Sequence, residues 1–131
     1  MAARRDAWMM VVAVLAIVFG VATIRAGGSV LFGSEEARRA AGAYVGFVVW
    51  FNFLAGFAYV AAGIGLWLRR RWGFVLAAAL AIATLVVFAA FGLHVASGGA
   101  WEPRTVGALT LRTVVWAVIA AIAWRRLGRT A

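Results

Sequence analysis

The chain has 131 residues, of which 66% are hydrophobic and 13% are charged, and its mean hydropathy is +1.00. Four apolar runs, each close to the roughly 20 residues that cross a bilayer, use most of the chain, which excludes a soluble domain with its own catalytic core. The formal net charge of +9 comes from arginines, most of them at the ends of these runs, and therefore indicates membrane orientation and argues against nucleic-acid binding.

The first predicted helix covers residues 7–25 and follows a basic N-terminus, as a signal peptide does. Arg25 stands where a cleavage site requires small neutral residues, so we expect a retained transmembrane helix. A stripe of small side chains runs along it and favours close helix contacts in lipid; it consists of Ala13, Ala16, Gly20 and Thr23. A loop is predicted next, from Gly27, Gly28, Gly33 and Ser34.

The second predicted helix covers residues 35–68. Ser34 is its predicted N-cap, and Glu35 and Glu36 favour the positive helix terminus. The helix is longer than a bilayer requires, so we expect an extension beyond the membrane or a tilt. Two faces predict two neighbouring helices: a GxxxG pair, and a second face with glycines and polar residues. The first face holds Gly42 and Gly46, and the second holds Asn52, Gly56, Tyr59 and Gly63.

The third and fourth predicted helices cover residues 72–95 and 103–124. Arg69, Arg70 and Arg71 mark a tight turn before the third helix. Pro103 suits the first turn of the fourth, and Glu102 just before it favours the helix dipole. Aromatic residues at the helix ends are typical interfacial anchors; they include Trp8, Trp67, Trp72, Trp101 and Trp124.

The distribution of arginines predicts the orientation. Positive charge is in excess at the N-terminus, in the second loop and at the C-terminus, whereas the first and third loops are balanced by glutamates. Both termini are therefore expected to be cytoplasmic. Abundant alanine, glycine and arginine with no lysine suggest a bacterial genome. The sequence predicts an all-α integral membrane protein, a four-transmembrane-helix bundle forming a single membrane domain over residues 1–131, multi-pass in the inner membrane.

Arg112 is the costly residue, because a guanidinium inside a lipid-spanning helix costs about 2.5–3.5 kcal/mol. No carboxylate lies within an apolar run. Its partner could be an asparagine, a Thr or Tyr hydroxyl, a backbone carbonyl, water, a lipid phosphate, an acid from a loop, or a bound anion. Side chains lean toward the N-terminus of their helix, so the side chains of Arg112, Asn52 and His94 are expected to converge in the outer half of the bundle. The candidate ligand-binding residues are Arg112, Asn52, His94, Glu102 and Tyr59.

Structural roles for the same residues stay open. Arg112 can snorkel to the outer interface while Asn52 joins helices by hydrogen bonding. His94 can be an interfacial histidine bonded to Glu102 or to a loop carbonyl. No metal site is expected, because His94 and Glu102 supply two ligands where a closed zinc site takes four. With no cysteine and a single histidine, no catalytic set, haem or other cofactor is expected, and the protein is expected not to be an enzyme.

Part of the chain shows a family pattern. The first helix leads to Arg25-Ala-Gly-Gly, and Leu54-Ala-Gly-Phe-Ala-Tyr-Val-Ala-Ala-Gly-Ile-Gly-Leu precedes an arginine-marked turn and an alanine-rich helix. This layout, over roughly residues 11–90, resembles the DoxX-like group of four-helix bacterial membrane proteins. It departs from that group at Arg25, where a lysine is common, and around Asn52, where a glutamate is common. The resemblance implies a role in membrane redox or respiratory-chain chemistry.

The expected function is therefore binding or transport of a small polar or anionic ligand, or of a lipid, at an outer-half polar site. The alternative is an accessory subunit of a membrane redox or respiratory complex. Little that is polar lies on the inner side of Tyr59 and Thr84, which favours binding over conduction. The small-residue faces of the first two helices offer more packing surface than a monomer needs. Besides the lipid bilayer, we expect a homodimer or a membrane-protein partner.

Overall fold

The computed structural model describes residues 2–126, with side chains described for residues 7–125. This part of the chain forms five helices: α1 (Ala2–Phe32), α2 (Glu35–Ala41), α3 (Gly46–Trp67), α4 (Arg71–Ala96) and α5 (Pro103–Arg126). Four of them are long and apolar enough to cross a membrane, over Ala7–Phe32, Gly46–Trp67, Arg71–Ala96 and Pro103–Arg125. The predictions of an all-helical fold and of four potential membrane spans are confirmed.

The end of α1 differs from the prediction. Gly27 and Gly28 do not form a loop, because α1 continues through them to Phe32. Gly27 is buried against α3, and a Cβ on it would lie 3.0 Å from the Cβ of Phe53. These glycines therefore permit a close contact between two helices, a role that lets glycine remain inside a membrane helix.

The predicted single helix over residues 35–68 is wrong, because the chain breaks between α2 and α3. Ser34 caps α2 as predicted, with its Oγ accepting a hydrogen bond from the Ala37 amide at 3.2 Å. Gly42 then turns the chain with φ 71° and ψ −139°, a region that glycine adopts most readily. The Ala43 amide donates to Oε1 of Glu102 at 2.8 Å, so the residue just before α5 supplies the acceptor that a continuous helix would have provided internally.

α1 and α3 form the most extensive helix pair. A Cβ on Gly20 would lie 2.7 Å from the backbone oxygen of Gly56, and a Cβ on Gly63 would lie 2.9 Å from that of Ala13. The whole small-residue stripe of α1 is buried, whereas Gly46 has nothing within 4 Å of its Cβ position. The stripe is thus filled within the chain itself and gives no argument for a second copy.

The remaining helices complete the bundle in the order α1, α3, α4, α5. α4 packs against both α3 and α5, while α1 and α5 touch sparsely. We call the line of contact between these two helices the α1–α5 seam. Three aromatic rings fill the centre: Tyr59 stacks on Phe19 with ring centroids 5.5 Å apart and on Trp116 at 4.6 Å. These broad side chains occupy the space between α5 and the α1–α3 pair, so the seam stays open.

A candidate ligand-binding cleft beside Arg112

Arg112 is held by residues of α1. Its Nη1 donates a hydrogen bond to Oγ1 of Thr23 at 3.1 Å, and its Cζ lies 5.3 Å from the centre of the Phe19 ring. Within the part of the chain with described side chains, no carboxylate pairs with Arg112, and its Nε is buried without a partner. Of the partners that the sequence left open, the structure shows a threonine hydroxyl, supplemented by a cation–π contact.

Further polar groups surround this arginine inside the bundle. The predicted site residue Tyr59 is fully buried, and its hydroxyl lies close to Arg112 and Thr84, outside strict hydrogen-bond geometry. The Thr84 hydroxyl instead donates to the Leu80 carbonyl of its own helix at 2.7 Å. Trp116, one helical turn from Arg112, also has a buried Nε1 without a partner. A buried polar group without a partner costs about 1–3 kcal/mol, so the unpaired nitrogens of Arg112 and Trp116, one helical turn apart, mark a site that a bound polar group would stabilise.

A cleft of about 280 Å³ opens beside this cluster, between α1, α3 and α5, at the end of the bundle that holds α2. We call it the polar cleft, after the residues Tyr44, Asn52, Glu102, Arg104 and Thr105 that line it together with small and aliphatic side chains. Oδ1 of Asn52 is buried there without a hydrogen-bond partner. The cleft thus offers an acceptor that the protein leaves unused.

Arg112 lies one helical turn beyond the cleft. Ala108, which lines the cleft, precedes Arg112 by four residues, and Ala26 follows Thr23 by three, so each pair shares a helix face. The Arg112 side chain leans toward the N-terminus of α5, which is the direction of the cleft. Arg112 is half-buried, so its charge is not sealed in the core.

Glu102 and Arg104 shape the opening of the cleft by binding the backbone of another segment. Besides the bond that Glu102 accepts from the Ala43 amide, Nη2 of Arg104 donates to the carbonyl oxygen of Ala40 at 2.8 Å. These two contacts fasten the start of α5 to the end of α2 and to the connection that follows it. They also keep both charged side chains at the rim.

His94 does not join this site. Its Nε2 donates to the carbonyl oxygen of Ala100 at 2.9 Å, and its ring meets Phe47 edge to face with centroids 6.2 Å apart. This is the loop-carbonyl arrangement that the sequence left open, and His94 does not line the polar cleft. The structure therefore places Tyr59 with Arg112 and Asn52 with Glu102, and it leaves His94 apart from both pairs.

Three residues of the site were not predicted as site residues: Thr23, Phe19 and Trp116. Their spacing along the helices could have indicated that they belong to the site. Phe19 and Thr23 are four residues apart on one face of α1, and Arg112 and Trp116 are four apart on one face of α5. Within residues 7–125, no group of three or more His, Asp or Glu side chains could hold a metal ion.

Fold and site together define an all-helical chain with four potential membrane spans, one of which holds a half-buried arginine beside a polar cleft. No protein-family model, curated protein or solved structure matches the chain. The resemblance to the DoxX-like group stays a prediction.

Proposed function

We propose that the chain is a non-enzymatic, multi-pass membrane protein that binds a small polar or anionic ligand in the polar cleft. Arg112 is the deep cationic group of this site, and Asn52 and Tyr59 are its neutral polar groups. One observation carries the proposal: Arg112 lies in a potential membrane span, no carboxylate among the side chains of residues 7–125 pairs with it, and these residues leave its buried Nε unused.

The energies of its contacts support a ligand at Arg112. An interhelical hydrogen bond in a membrane contributes about 0.6 kcal/mol on average, and a cation–π contact contributes about 0.5–2 kcal/mol. Together these contribute about 1.1–2.6 kcal/mol, which at most matches the lower end of the roughly 2.5–3.5 kcal/mol that an arginine costs inside a span. An anionic oxygen group would offset the remainder, because a guanidinium binds such groups through two parallel charge-assisted hydrogen bonds.

The dimensions of the cleft favour a small ligand. Its volume of about 280 Å³ lies near the lower end of the range of roughly 300–1,000 Å³ for small-molecule pockets. Toward the opposite end of the bundle, the α1–α5 seam is lined by aliphatic side chains such as Val12, Val115 and Ile122. A polar path along this seam therefore stops at Arg112, which supports binding rather than conduction.

In the proposed orientation, the polar cleft opens at the outer surface of a bacterial inner membrane. The arginines at the other end of the bundle, among them Arg69, Arg70 and Arg71, then face the cytoplasm together with both termini. A ligand would enter from the outer side.

The proposal is tested by titrating acetate, as an anion probe, into the protein in lipid nanodiscs. We expect Arg112→Gln to weaken acetate binding by about tenfold or more, the equivalent of one lost charge-assisted contact. Arg39→Gln is the matched control, since Arg39 is exposed and paired with Glu35 at the same end of the bundle. Equal binding by the native chain and a folded Arg112→Gln variant would overturn the proposal.

A further inference from the structure

An apolar groove continues the α1–α5 seam on the far side of Arg112. It has a volume of about 280 Å³, and α1 contributes Val12 and Leu15 to its walls. α5 contributes Val114, Val115, Val118, Ile119 and Ile122. All of these side chains are aliphatic, so the groove offers no hydrogen-bonding side chain to a ligand.

The groove, Arg112 and the polar cleft lie along one line. On α1 the residues that form them recur at intervals of three or four, which keeps them on one helix face; they are Val12, Leu15, Phe19, Thr23, Ala26 and Val30. On α5 the same spacing links Thr105, Ala108, Arg112, Val115, Ile119 and Ile122. The seam therefore changes from polar to apolar along its length, and the charge of Arg112 stands at the change.

We propose that the ligand of this site is a single-chain anionic amphiphile, with its anionic oxygen head at Arg112 and its hydrocarbon chain in the groove. This inference rests on the function proposed above and names the class of ligand. The ten residues from Arg112 to Ile122 span about 15 Å of helix, which sets the length of chain that the groove can cover.

The groove is open sideways to the membrane. Leu15 on one wall is 60% exposed, and Val118 on the other is 51% exposed. The hydrocarbon chain of an amphiphile can therefore enter from the bilayer, and the head of the same molecule can reach Arg112 without crossing the aliphatic core. A free small anion would leave the groove to the hydrocarbon chains of lipids, whereas an amphiphile occupies both parts of the seam.

The link between Arg112 and Thr23 is suited to replacement by such a head. It joins a side chain of α5 to a side chain of α1 through one neutral acceptor. The neutral hydroxyl occupies one donor of a guanidinium, while a carboxylate could take two. If a carboxylate replaced the Thr23 hydroxyl as the acceptor for Arg112, α1 and α5 would stay in place, because their aromatic and aliphatic contacts do not depend on this hydrogen bond.

The hydrocarbon chain of the ligand contributes to selectivity more than to affinity. Lipid tails are as apolar as the groove, so moving a chain from the bilayer into the groove releases little free energy. Laurate will also bind more strongly than acetate simply by partitioning into lipid. The test must therefore compare variants with each other, not one probe with another.

The experiment titrates laurate and acetate into nanodiscs that carry the native chain, Arg112→Gln, Val118→Phe or Val86→Phe. Val118 lines the groove, and Val86 is the matched control because it is a 62% exposed valine on α4. We expect laurate binding to fall about tenfold in both Arg112→Gln and Val118→Phe, since the ring would clash with the hydrocarbon chain of a laurate whose head is at Arg112. Val86→Phe should leave laurate binding unchanged, and Val118→Phe should leave acetate binding unchanged.

The two proposals fail in different ways. Laurate binding that is lost in Arg112→Gln but unchanged in Val118→Phe overturns the amphiphile and retains the anion site. Laurate binding that falls equally in Val118→Phe and Val86→Phe also overturns the amphiphile. Acetate binding that persists in Arg112→Gln overturns the proposed function itself. Circular dichroism confirms the fold of each variant, and Val114→Phe, on the same groove wall, replaces Val118→Phe if that variant fails to fold.

Discussion

Nη1 of Arg112 lies 3.1 Å from Oγ1 of Thr23, and this hydrogen bond joins α5 to α1, two helices that otherwise touch sparsely. The bond connects the charged residue that is hardest to bury with a buried member of the small-residue stripe of α1. The anion site and the helix packing therefore depend on the same threonine.

Replacing that threonine separates the two roles. Thr23→Val keeps the shape of the side chain but removes the acceptor, so we expect a loss of about 0.5–2 kcal/mol in the free energy of unfolding. Added acetate should recover part of this loss, because an anion can take the vacated donor. Thermal unfolding in detergent with and without acetate measures both effects.

Thr84→Val serves as the control for that experiment. The Thr84 hydroxyl donates only to its own helix, so its removal should cost less and should not respond to acetate. Equal, acetate-independent losses in the two variants would contradict the role assigned to Thr23.

The break between α2 and α3 yields a paired glycine prediction. Gly42→Ala should lower stability by about 1–3 kcal/mol, because the residue has φ 71° and a Cβ would overlap the Glu102 carboxylate. Gly46→Ala should be neutral or stabilising by up to about 1 kcal/mol, since it lies in a helix with open space around it. Thermal melts of both variants decide this, and a Gly42→Ala variant as stable as Gly46→Ala would show that the turn tolerates a side chain.

The α1–α3 contact yields another matched pair. A Cβ on Gly20 would lie 2.7 Å from a backbone oxygen of α3, so Gly20→Ala must push two helices apart and should cost about 1–3 kcal/mol. Gly92→Ala places the same methyl group on α4, where nothing lies within 4 Å, and should raise stability slightly. Unfolding followed by circular dichroism compares the two, and similar melting temperatures would argue against the close packing.

The proposed orientation is tested with reporter fusions. Alkaline phosphatase fused after Ala131 should be inactive and green fluorescent protein fused there should fluoresce, because the arginine-rich end is expected to be cytoplasmic. Phosphatase inserted at Gly99, between α4 and α5, should be active. Replacing Arg69, Arg70 and Arg71 by serine should reduce the difference between the two sites. The opposite reporter pattern would invert the topology and place the polar cleft on the cytoplasmic side.

Hydrophobicity and helix-start chemistry sufficed to predict most of the fold. Long apolar runs predict membrane helices because lipid requires internally bonded backbones, and Ser34 and Pro103 mark helix starts through local geometry alone. Gly27 and Gly42 show the limit of such reasoning. One glycine remains inside a helix because Phe53 lies close to it, and the other breaks a helix because Glu102, distant in sequence, binds the next amide. Neither neighbour can be identified from local sequence.

Sequence position predicts how deep a side chain lies in the bundle, and the candidate site could be predicted to that extent. The positions of Arg112, Asn52 and Tyr59 along their helices indicated polar groups inside the bundle, and a threonine hydroxyl was among the partners considered for Arg112. Rotation about the helix axes could not be deduced from depth, and it is rotation that turns His94 toward Ala100 and Thr23 toward Arg112. The aromatic stack of Phe19, Tyr59 and Trp116 likewise depends on which helices are neighbours.

Trp116 gives this molecule an optical probe of its own interior. The chain has seven tryptophans, all among the described side chains. Trp116 is 0% exposed, whereas the other six are between 41% and 59% exposed. Its indole is shielded from the surroundings of the protein, stacked on Tyr59 and one turn from Arg112. With the six outer tryptophans replaced by phenylalanine, the fluorescence of this single indole would report on the occupancy of the neighbouring site without any added label.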